Sequence, residues 1–342
     1  MMPVLETLQL PLCAVLAVWL DRLLGEPSRC HPLVGFGRLA QWIETALRRL
    51  PGPAHEVGDV SLPAGADSAA DERNDRASRA QKNAGIAAWA LAVLPFTALA
   101  LVLRQGGPIG LTAAVDVVLL YFALGAQSLH EHVERVASAL TAGDLPGARQ
   151  AVGCIVSRET AALDENAVAR AAVESALENG NDAIFGALFW FAVLGGPGAL
   201  LFRLANTLDA MWGYRNQRYR HFGWAAARLD DLLGYLPARL CALSYAALGR
   251  ARLALVCWRE QAPRWDSPNA GPVMAAGAGS LGVRLGGASV YHGQREDRPL
   301  LGRGPAPKPA DIHRAWRLVR GSMILWLIAG FALALLMREL NA

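Results

Sequence analysis

Residues 84–129 read AGIAAWALAVLPFTALALVLRQGGPIGLTAAVDVVLLYFALGAQSL. Two apolar runs, Ala84 to Leu103 and Ile109 to Leu129, flank a short polar break at Arg104 to Pro108. Each run reaches the roughly 20 residues that a helix needs to cross hydrocarbon, and so short a connection makes the pair an antiparallel helical hairpin. The expected fold is therefore all-α, a polytopic integral membrane protein. Asp116 is the single acid in the second run; at that depth a carboxylate either faces other helices or a cavity, or serves function directly.

The composition agrees. Hydrophobic residues make up 53% of the 342 and charged residues only 18%, against about 25% in soluble domains. The net charge of +4 is small and the arginines are scattered without a block of like charge. Nucleic acid is excluded as a partner, and the lipid bilayer or an acidic substrate suits the chain better. Cys13, Cys30, Cys154, Cys241 and Cys257 show no CxxC spacing, so neither a disulfide frame nor a zinc site is indicated.

Outward from the hairpin, Val4 to Leu20 is a further apolar run, short for a bilayer and interrupted by Pro11. It lacks the basic lead and small-residue cleavage site of a removable leader and is expected as a retained helix. Ser322 to Met337 is the last run, giving about four spans. Leu39, Trp42, Ile43, Ala46, Leu47 and Leu50 recur at helical spacing, which predicts an amphipathic helix on the membrane surface. Residues 51–82 are rich in Pro, Gly, Ala, Ser and charge and are expected as a flexible insert. Gly195 to Gly198 breaks the apolar segment Ala183 to Ala205 into halves too short to cross individually, and Arg239, Arg250 and Arg252 make Leu232 to Trp258 a poor span. If both fail to cross, residues 21–82 and 130–320 share one face. That face carries most of the Lys and Arg, which marks it cytoplasmic. The chain reads as one domain, with residues 130–321 bearing the site.

Glu174, Glu178 and Asp182 stand at successive i, i+4 positions, so three carboxylates share a helix face and repel unless a cation sits among them. A solvated face with weak pairs is one reading. Magnesium or a substrate amine is the other, because oxygen ligands suit a hard cation. The densest polar chemistry is RLANTLDAMWGYRNQRYRHFGWAAARLDD, Arg203 to Asp231, between two apolar segments. Asn206 and Asp209 lie one turn apart, while Gly213 and Gly223 bound a loop that could aim Arg215, Arg218 and Arg220 at one anion. Guanidinium forks grip carboxylates and phosphates, and neighbouring rings can stack a flat ligand. The competing reading has Arg228, Asp230 and Asp231 capping and pairing at helix ends. WDSPNAGP, Trp265 to Pro272, is a turn that could present Asp266 and Asn269. GAGSLG, Gly277 to Gly282, fits GxGxxG, but with no strand before it the small residues point to close helix packing or, less readily, a phosphate on backbone amides.

Four separated blocks carry a resemblance: DRLLGEPSRCHPLVGFGRL, ESALENGNDAIFGALFW, NTLDAMWGYRNQRYRHFGWAAARLDD and WDSPNAGPVMAAGAGSLGVRLGG. In that order they resemble the CobD/CbiB family of cobalamin-biosynthesis proteins, the adenosylcobinamide-phosphate synthases, from about residue 20 to 304. ENGNDAIFGALF departs from the commonest family pattern, which has a glycine after the aspartate and a proline before LF. The resemblance implies an ATP-dependent acid-amine ligase that joins (R)-1-aminopropan-2-ol, or its phosphate, to a propionate carboxylate of adenosylcobyric acid. It implies ATP and Mg²⁺ as cofactors, the bacterial inner membrane as location, and other cobalamin-pathway enzymes as partners. On that basis Glu174, Glu178, Asp182 and Asp209 are the expected catalytic group, with Glu178 and Asp182 on metal. Asn206, Arg215, Asn216, Arg218, Tyr219, Arg228, Asp230, Asp231, Asp266 and Asn269 are expected on substrate, and Glu26 and His31 join them because the first block falls there. A non-enzymatic corrinoid-binding or AmpE-like signalling module is the alternative. A transporter would need charged spans and internal repeats, which this sequence does not show.

Overall fold

The computed structural model describes residues 4–27, 31–49, 67–105, 107–214, 216–291 and 293–340. Among them, four helices are long and apolar enough to cross a membrane: Thr7–Leu24, Asp75–Gln105, Ile109–Thr141 and Pro309–Leu340. They belong to α1 (Val4–Leu24), α3 (Asp67–Gln105), the pair α4 (Ile109–Ala123) and α5 (Ala126–Thr141), and α13 (Pro309–Leu340). The chain is thus an all-α polytopic membrane protein, as its apolar runs predict. Between α1 and α3 lies α2 (Pro32–Arg49), the amphipathic helix. The expected insert is shorter than its composition suggests: residues 67–82 form the first turns of α3, and residues 51–66 lie outside the described residues.

The third span is interrupted. Leu124 is extended, and α5 restarts with the buried Asp21 carboxylate of α1 accepting from the Gln127 N–H at 2.9 Å. Gly125 donates to the Ala183 carbonyl at 3.1 Å. A carboxylate at a helix start meets the free N–H groups there.

A helical body follows, from α6 (Leu145–Gly153) and α7 (Glu165–Gly180) through a π-turn at Asn181–Phe185 into α8 (Gly186–Leu194) and α9 (Gly196–Trp212). α8 and α9 form a helical hairpin. A Cβ on Gly198 would lie 2.1 Å from the Trp190 carbonyl oxygen, so only glycine lets the two backbones meet. Gly195 makes the tip with φ +67°, a conformation that favours glycine. α9 has 17 residues, about 25 Å of rise, and stops short of a bilayer's roughly 30 Å. Its tip docks on α4: Asp116, fully buried, accepts from Gly196 N–H at 2.7 Å and pairs with Arg104 at 3.0 Å. Of the two readings open for Asp116, the helix-facing structural one describes this geometry.

α10 (Trp224–Leu248) crosses the body from α3, where Lys82 lies over Trp224, to α13, where Trp326 donates to Ser244 at 2.8 Å. Leu232, Leu236, Leu240 and Leu243 form an exposed stripe on it. α11 (Ala251–Gln261) and the wholly buried α12 (Ala270–Leu281) complete the body. The GAGSLG run lies inside and at the end of α12. A Cβ on Gly279 would meet the Ala254 Cα at 2.7 Å, so close packing explains the small residues and a phosphate loop does not. A β-hairpin, β1 (Arg284–Tyr291) and β2 (Gln294–Gly302), is the one departure from helix that the sequence reading lacked.

Candidate functional site

The site is built where α7 ends. Asp164 caps that helix, accepting from Ala167 N–H at 2.7 Å, and the alanine-rich turns that follow bury nearly every residue up to Leu177. A straight helix would keep Glu174, Glu178 and Asp182 in one row. The π-turn at Asn181–Phe185 inserts a residue and re-aims the end of that row, a device common at functional sites. Glu178 and Asp182 line a cavity of about 370 Å³, joined there by Asp209 from the last turn of α9, Asp230 and Asp231 from α10, and Asp266, Ser267 and Asn269 from the turn before α12.

Glu174 is held elsewhere. It is buried beneath the β-hairpin, accepts from Gly286 N–H at 2.7 Å and Arg298 at 3.1 Å, and pairs with Arg158. Burial alone would raise its pKa, but Arg158 and then Arg298 outweigh that and hold it below the ordinary value. The cation expected beside the carboxylate row is, at Glu174, this pair of arginines.

Among the described residues, Glu178, Asp182, Asp209 and Asp230 form no salt bridge with an arginine, and Arg203 reaches Asp182 through its field. Burial, then repulsion from Asp182 and Glu174, raises Glu178 to about 7. Asp209 rises to about 6 through burial and the fields of Asp182 and Asp231. Asp230 is pushed well up by burial, Asp182 and Asp209, although Asn206 donates to it at 3.3 Å. Asp182 is raised by burial and moderated by the Asn181 amide, which donates at 2.9 Å, and by Arg203. A crowd of acids that cannot all ionise is a receptor for positive charge. Among the described residues no group of three or more His, Cys, Asp or Glu is arranged to hold a metal ion. Magnesium is commonly held through one or two carboxylates while it keeps several waters, and Glu178 and Asp182 are the oxygen donors that would meet it here.

Asn269 joins the cavity wall to its frame: its amide donates to the Asp231 carbonyl at 2.9 Å and accepts from Arg239 at 2.8 Å. Other expected residues fall outside this cavity. Arg218 pairs with buried Glu44 of α2 at 2.9 Å, Tyr219 donates to the same carboxylate at 3.3 Å, and Asn216 accepts from Tyr219 N–H at 3.0 Å. Arg228 is exposed on α10, and Arg215 lies outside the described residues. His31 starts α2, its Nδ1 accepting from Leu33 N–H at 3.2 Å. Glu26 sits beside Gly125 and shares with Asp182 and Asp21 the field of Arg203.

A second cavity, about 640 Å³, lies under the β-hairpin and shares Glu178 and Asp266 with the first. Arg158, Arg298, Ser175, Asn179 and Tyr291 give it hydrogen-bond donors. Sequence reasoning missed Arg158 and Arg298 because their shared partner Glu174 is 16 and 124 residues away. Only the SRE motif before α7 and the bulge-forming Gly286-Gly287 pair marked that region.

Fold and site define a polytopic membrane protein whose helical body holds a carboxylate cavity next to an arginine-bearing one. The family model described as CobD/Cbib protein matches residues 14–319, and the chain belongs to that family. It is 56% identical over 312 residues to the "Cobalamin biosynthesis protein CobD" of Stutzerimonas stutzeri, covering 91% of this chain and 94% of that one. The protein of the same name from Chromobacterium violaceum is 55% identical, covering 96% and 97%. That of Mycobacterium tuberculosis is 38% identical, covering 88% of each. No solved structure matches the chain.

Proposed function

We propose that this protein acts in cobalamin biosynthesis as an ATP-dependent acid-amine ligase, joining (R)-1-aminopropan-2-ol or its phosphate to a propionate carboxylate of adenosylcobyric acid. The product is adenosylcobinamide or its phosphate. The observation that carries this reading is the adjacency of the two cavities through Glu178 and Asp266, one rich in carboxylate and the other bearing Arg158 and Arg298. The family and the names of its relatives support the pathway.

A carboxylate is a poor electrophile at neutral pH. Attack of its oxygen on the terminal phosphorus of ATP releases ADP and leaves an acyl phosphate. The amine nitrogen then attacks the acyl carbon, phosphate departs with the C–O electron pair, and the nitrogen gives up its proton. Arg158 and Arg298, only partly offset by Glu174, suit the transferring phosphoryl group. Glu178 and Asp182 suit the cation, whether substrate ammonium or Mg²⁺. Mg²⁺, when bound, neutralises phosphate charge. Asp209, held at about 6, is placed to take the ammonium proton near neutrality, with Asp230 and Asp231 behind it.

The location that goes with this reading is the bacterial inner membrane, with the site on the cytoplasmic face where the Lys and Arg concentrate. Purified protein in nanodiscs, given adenosylcobyric acid, aminopropanol phosphate, ATP and Mg²⁺, should form the amide with one phosphate released per product, read by mass spectrometry. Tight corrinoid retention without product would overturn the ligase and favour a binding module.

A further inference from the structure

The exposed leucine stripe of α10 is a surface that lines neither cavity. Leu232, Leu236, Leu240 and Leu243 recur at helical spacing, with Leu232 70% and Leu236 57% exposed. Asp230 and Gly234 are offset from them by about half a turn and line the carboxylate cavity, so α10 has one face on the site and the opposite face exposed. A third cavity, an open cleft of about 550 Å³, follows the end of α10 and is lined by Arg250, Arg252 and Arg303. We infer that α10 lies in the plane of the bilayer surface, with its leucine face in the acyl chains and anionic lipid headgroups on Arg250 and Arg252 in that cleft. The bilayer then forms the outer wall of the site, whatever reaction the site performs.

Contacts along α10 fix its depth. At its start, Lys82 lies 5.7 Å from the Trp224 ring centroid and stands just before the apolar run of α3 that begins at Ala84. In its middle, Pro237 has no N–H for the Leu233 carbonyl, which accepts instead from Trp190 of α8 at 2.9 Å. Further on, Ser244 meets Trp326, which stands about 6 Å along α13 from Ser322, where the last apolar run begins. At its end, Leu248 packs on Gly321, just before that run, where an added Cβ would lie 3.3 Å from the leucine Cδ1. α3 and α13 enter from the same side, because the turn after α3 sends the chain back through α4 and α5. Both ends of α10 therefore sit where those two spans enter hydrocarbon, and its 25 residues join the two levels without crossing. Trp224, Arg228, Tyr235 and Arg239 follow one edge of the stripe, with Arg239 lying 3.5 Å above the Tyr235 ring centroid. Rings and long-stemmed cations favour the headgroup level of a helix lying in the interface. α10 also packs against both α3 and α13, whose exposed apolar residues, such as Leu94 and Ile328, are lipid-facing surface. At the cleft, Arg303 pairs with Glu260, whereas Arg250 and Arg252 are exposed and, among the described residues, form no salt bridge. A lipid phosphate supplies their counter-charge.

The test uses full-length protein, with Cys30→Ser and Cys154→Ser, in nanodiscs of mixed phosphatidylcholine and phosphatidylglycerol. A spin label on Leu236→Cys is compared with one on Leu99→Cys of α3 for relaxation by oxygen, which concentrates in acyl chains, and by a water-soluble nickel chelate. Oxygen should dominate several-fold at both positions. Dominance of the chelate at Leu236→Cys puts the stripe in water, and poor access of both reagents gives it to a second copy or another protein; either overturns the inference. A label on Leu240→Cys repeats the reading should the first variant fold poorly. The headgroup contact is read from the lipid that stays with the protein on purification from the same mixture. The parent should retain phosphatidylglycerol several-fold above its bulk share, and Arg250→Glu with Arg252→Glu should lower that enrichment about fivefold or more. Millimolar inorganic phosphate should leave it in place. No enrichment in the parent, or the same enrichment in the double variant, overturns the headgroup assignment. Displacement by inorganic phosphate overturns it too, and makes the cleft a site for soluble anions.

Discussion

The two ends of the α8–α9 hairpin carry buried acids in opposite circumstances. At the tip, Asp116 is neutralised by Arg104 and satisfied by the Gly196 N–H, so its charge fixes a backbone. At the base, Glu178, Asp182, Asp209 and Asp230 crowd together with amides and, among the described residues, with no arginine salt bridge, only the field of Arg203 reaching Asp182. A paired buried charge specifies structure, and an unpaired group of like charges stores affinity for whatever cation arrives. The same contrast recurs within one helix. Glu174 has Arg158, Arg298 and a backbone N–H, whereas Glu178, one turn on, faces two cavities.

Substitution should separate the two kinds of acid. At the base, Glu178→Gln should lower ligation by roughly 10²–10⁴-fold while raising the melting midpoint by a few degrees, because one repelling carboxylate is gone. Reduced activity with reduced stability would erase the distinction. At the tip, Asp116→Ala should cost about 3 kcal/mol, the low end of the range for a broken buried pair, because Arg104 stays partly exposed. Turnover per folded molecule should stay near normal, and a large fall in it with the fold intact would mean that the tip acts on the chemistry.

Between those extremes, Glu174→Gln leaves Arg158 and Arg298 without their counter-charge under the β-hairpin. Hydrogen exchange in residues 284–302 should quicken by about tenfold or more, as expected from losing roughly 1.4 kcal/mol of anchoring. Exchange confined to its parental rate would show that the strands are held from α11 alone, where Gln261 bonds Gly302 through both N–H and carbonyl.

The base should also betray itself through pH. Glu178 titrates near 7 in the folded protein against an ordinary 4.5, so the folded state binds the extra proton in that interval. Its contribution to stability is present below about pH 4.5 and is lost as pH rises through 7. Asp209 adds the same sign over 3.8 to about 6. Stability without added metal should therefore fall between pH 5 and 8, by roughly 1 kcal/mol or more per unit shifted. Millimolar Mg²⁺ should flatten that fall by replacing the proton. A flat curve over the interval would place the carboxylates in solvent with ordinary pKa values.

Some of this was legible in the sequence and some was not, for physical reasons. Apolar runs that can span a bilayer are legible, and Gly195-Gly-Pro-Gly198 announced the break that separates α8 from α9. The acids at 178, 182, 209, 230, 231 and 266 were named from blocks far apart in the chain, and the fold brings all six to one cavity. What periodicity could not show was that Glu174 is taken up by Arg158 and the distant β-hairpin Arg298, while the π-turn re-aims Asp182 at the end of the row. The β-hairpin escaped because Arg284 to Gly302 alternates poorly, with two glycines at a bulge and charged residues through the second strand. Residues 67–82 resembled an insert because a charged helix start has the composition of a linker.

The smallest expected effect concerns Arg218, which the sequence reading placed on a substrate anion. In the fold its guanidinium lies outside the three cavities, exposed, on a carboxylate that Arg48 also holds at 3.0 Å. Arg218→Ala leaves Glu44 with Arg48 and with the Tyr219 hydroxyl, so no buried charge is abandoned. An exposed partner contributes little when a second cation is present. Ligation should stay within about threefold of the parent, since surface changes of this kind rarely move stability or turnover far. Arg48→Ala should do more, because Arg48 also donates to the Arg218 carbonyl at 2.6 Å and lies 4.4 Å from the Phe222 ring, tying α2 to the loop before α10. A profound loss in Arg218→Ala with Arg48→Ala mild would move substrate binding onto this loop, and would make the 206–231 block a second site beside the carboxylate cavity.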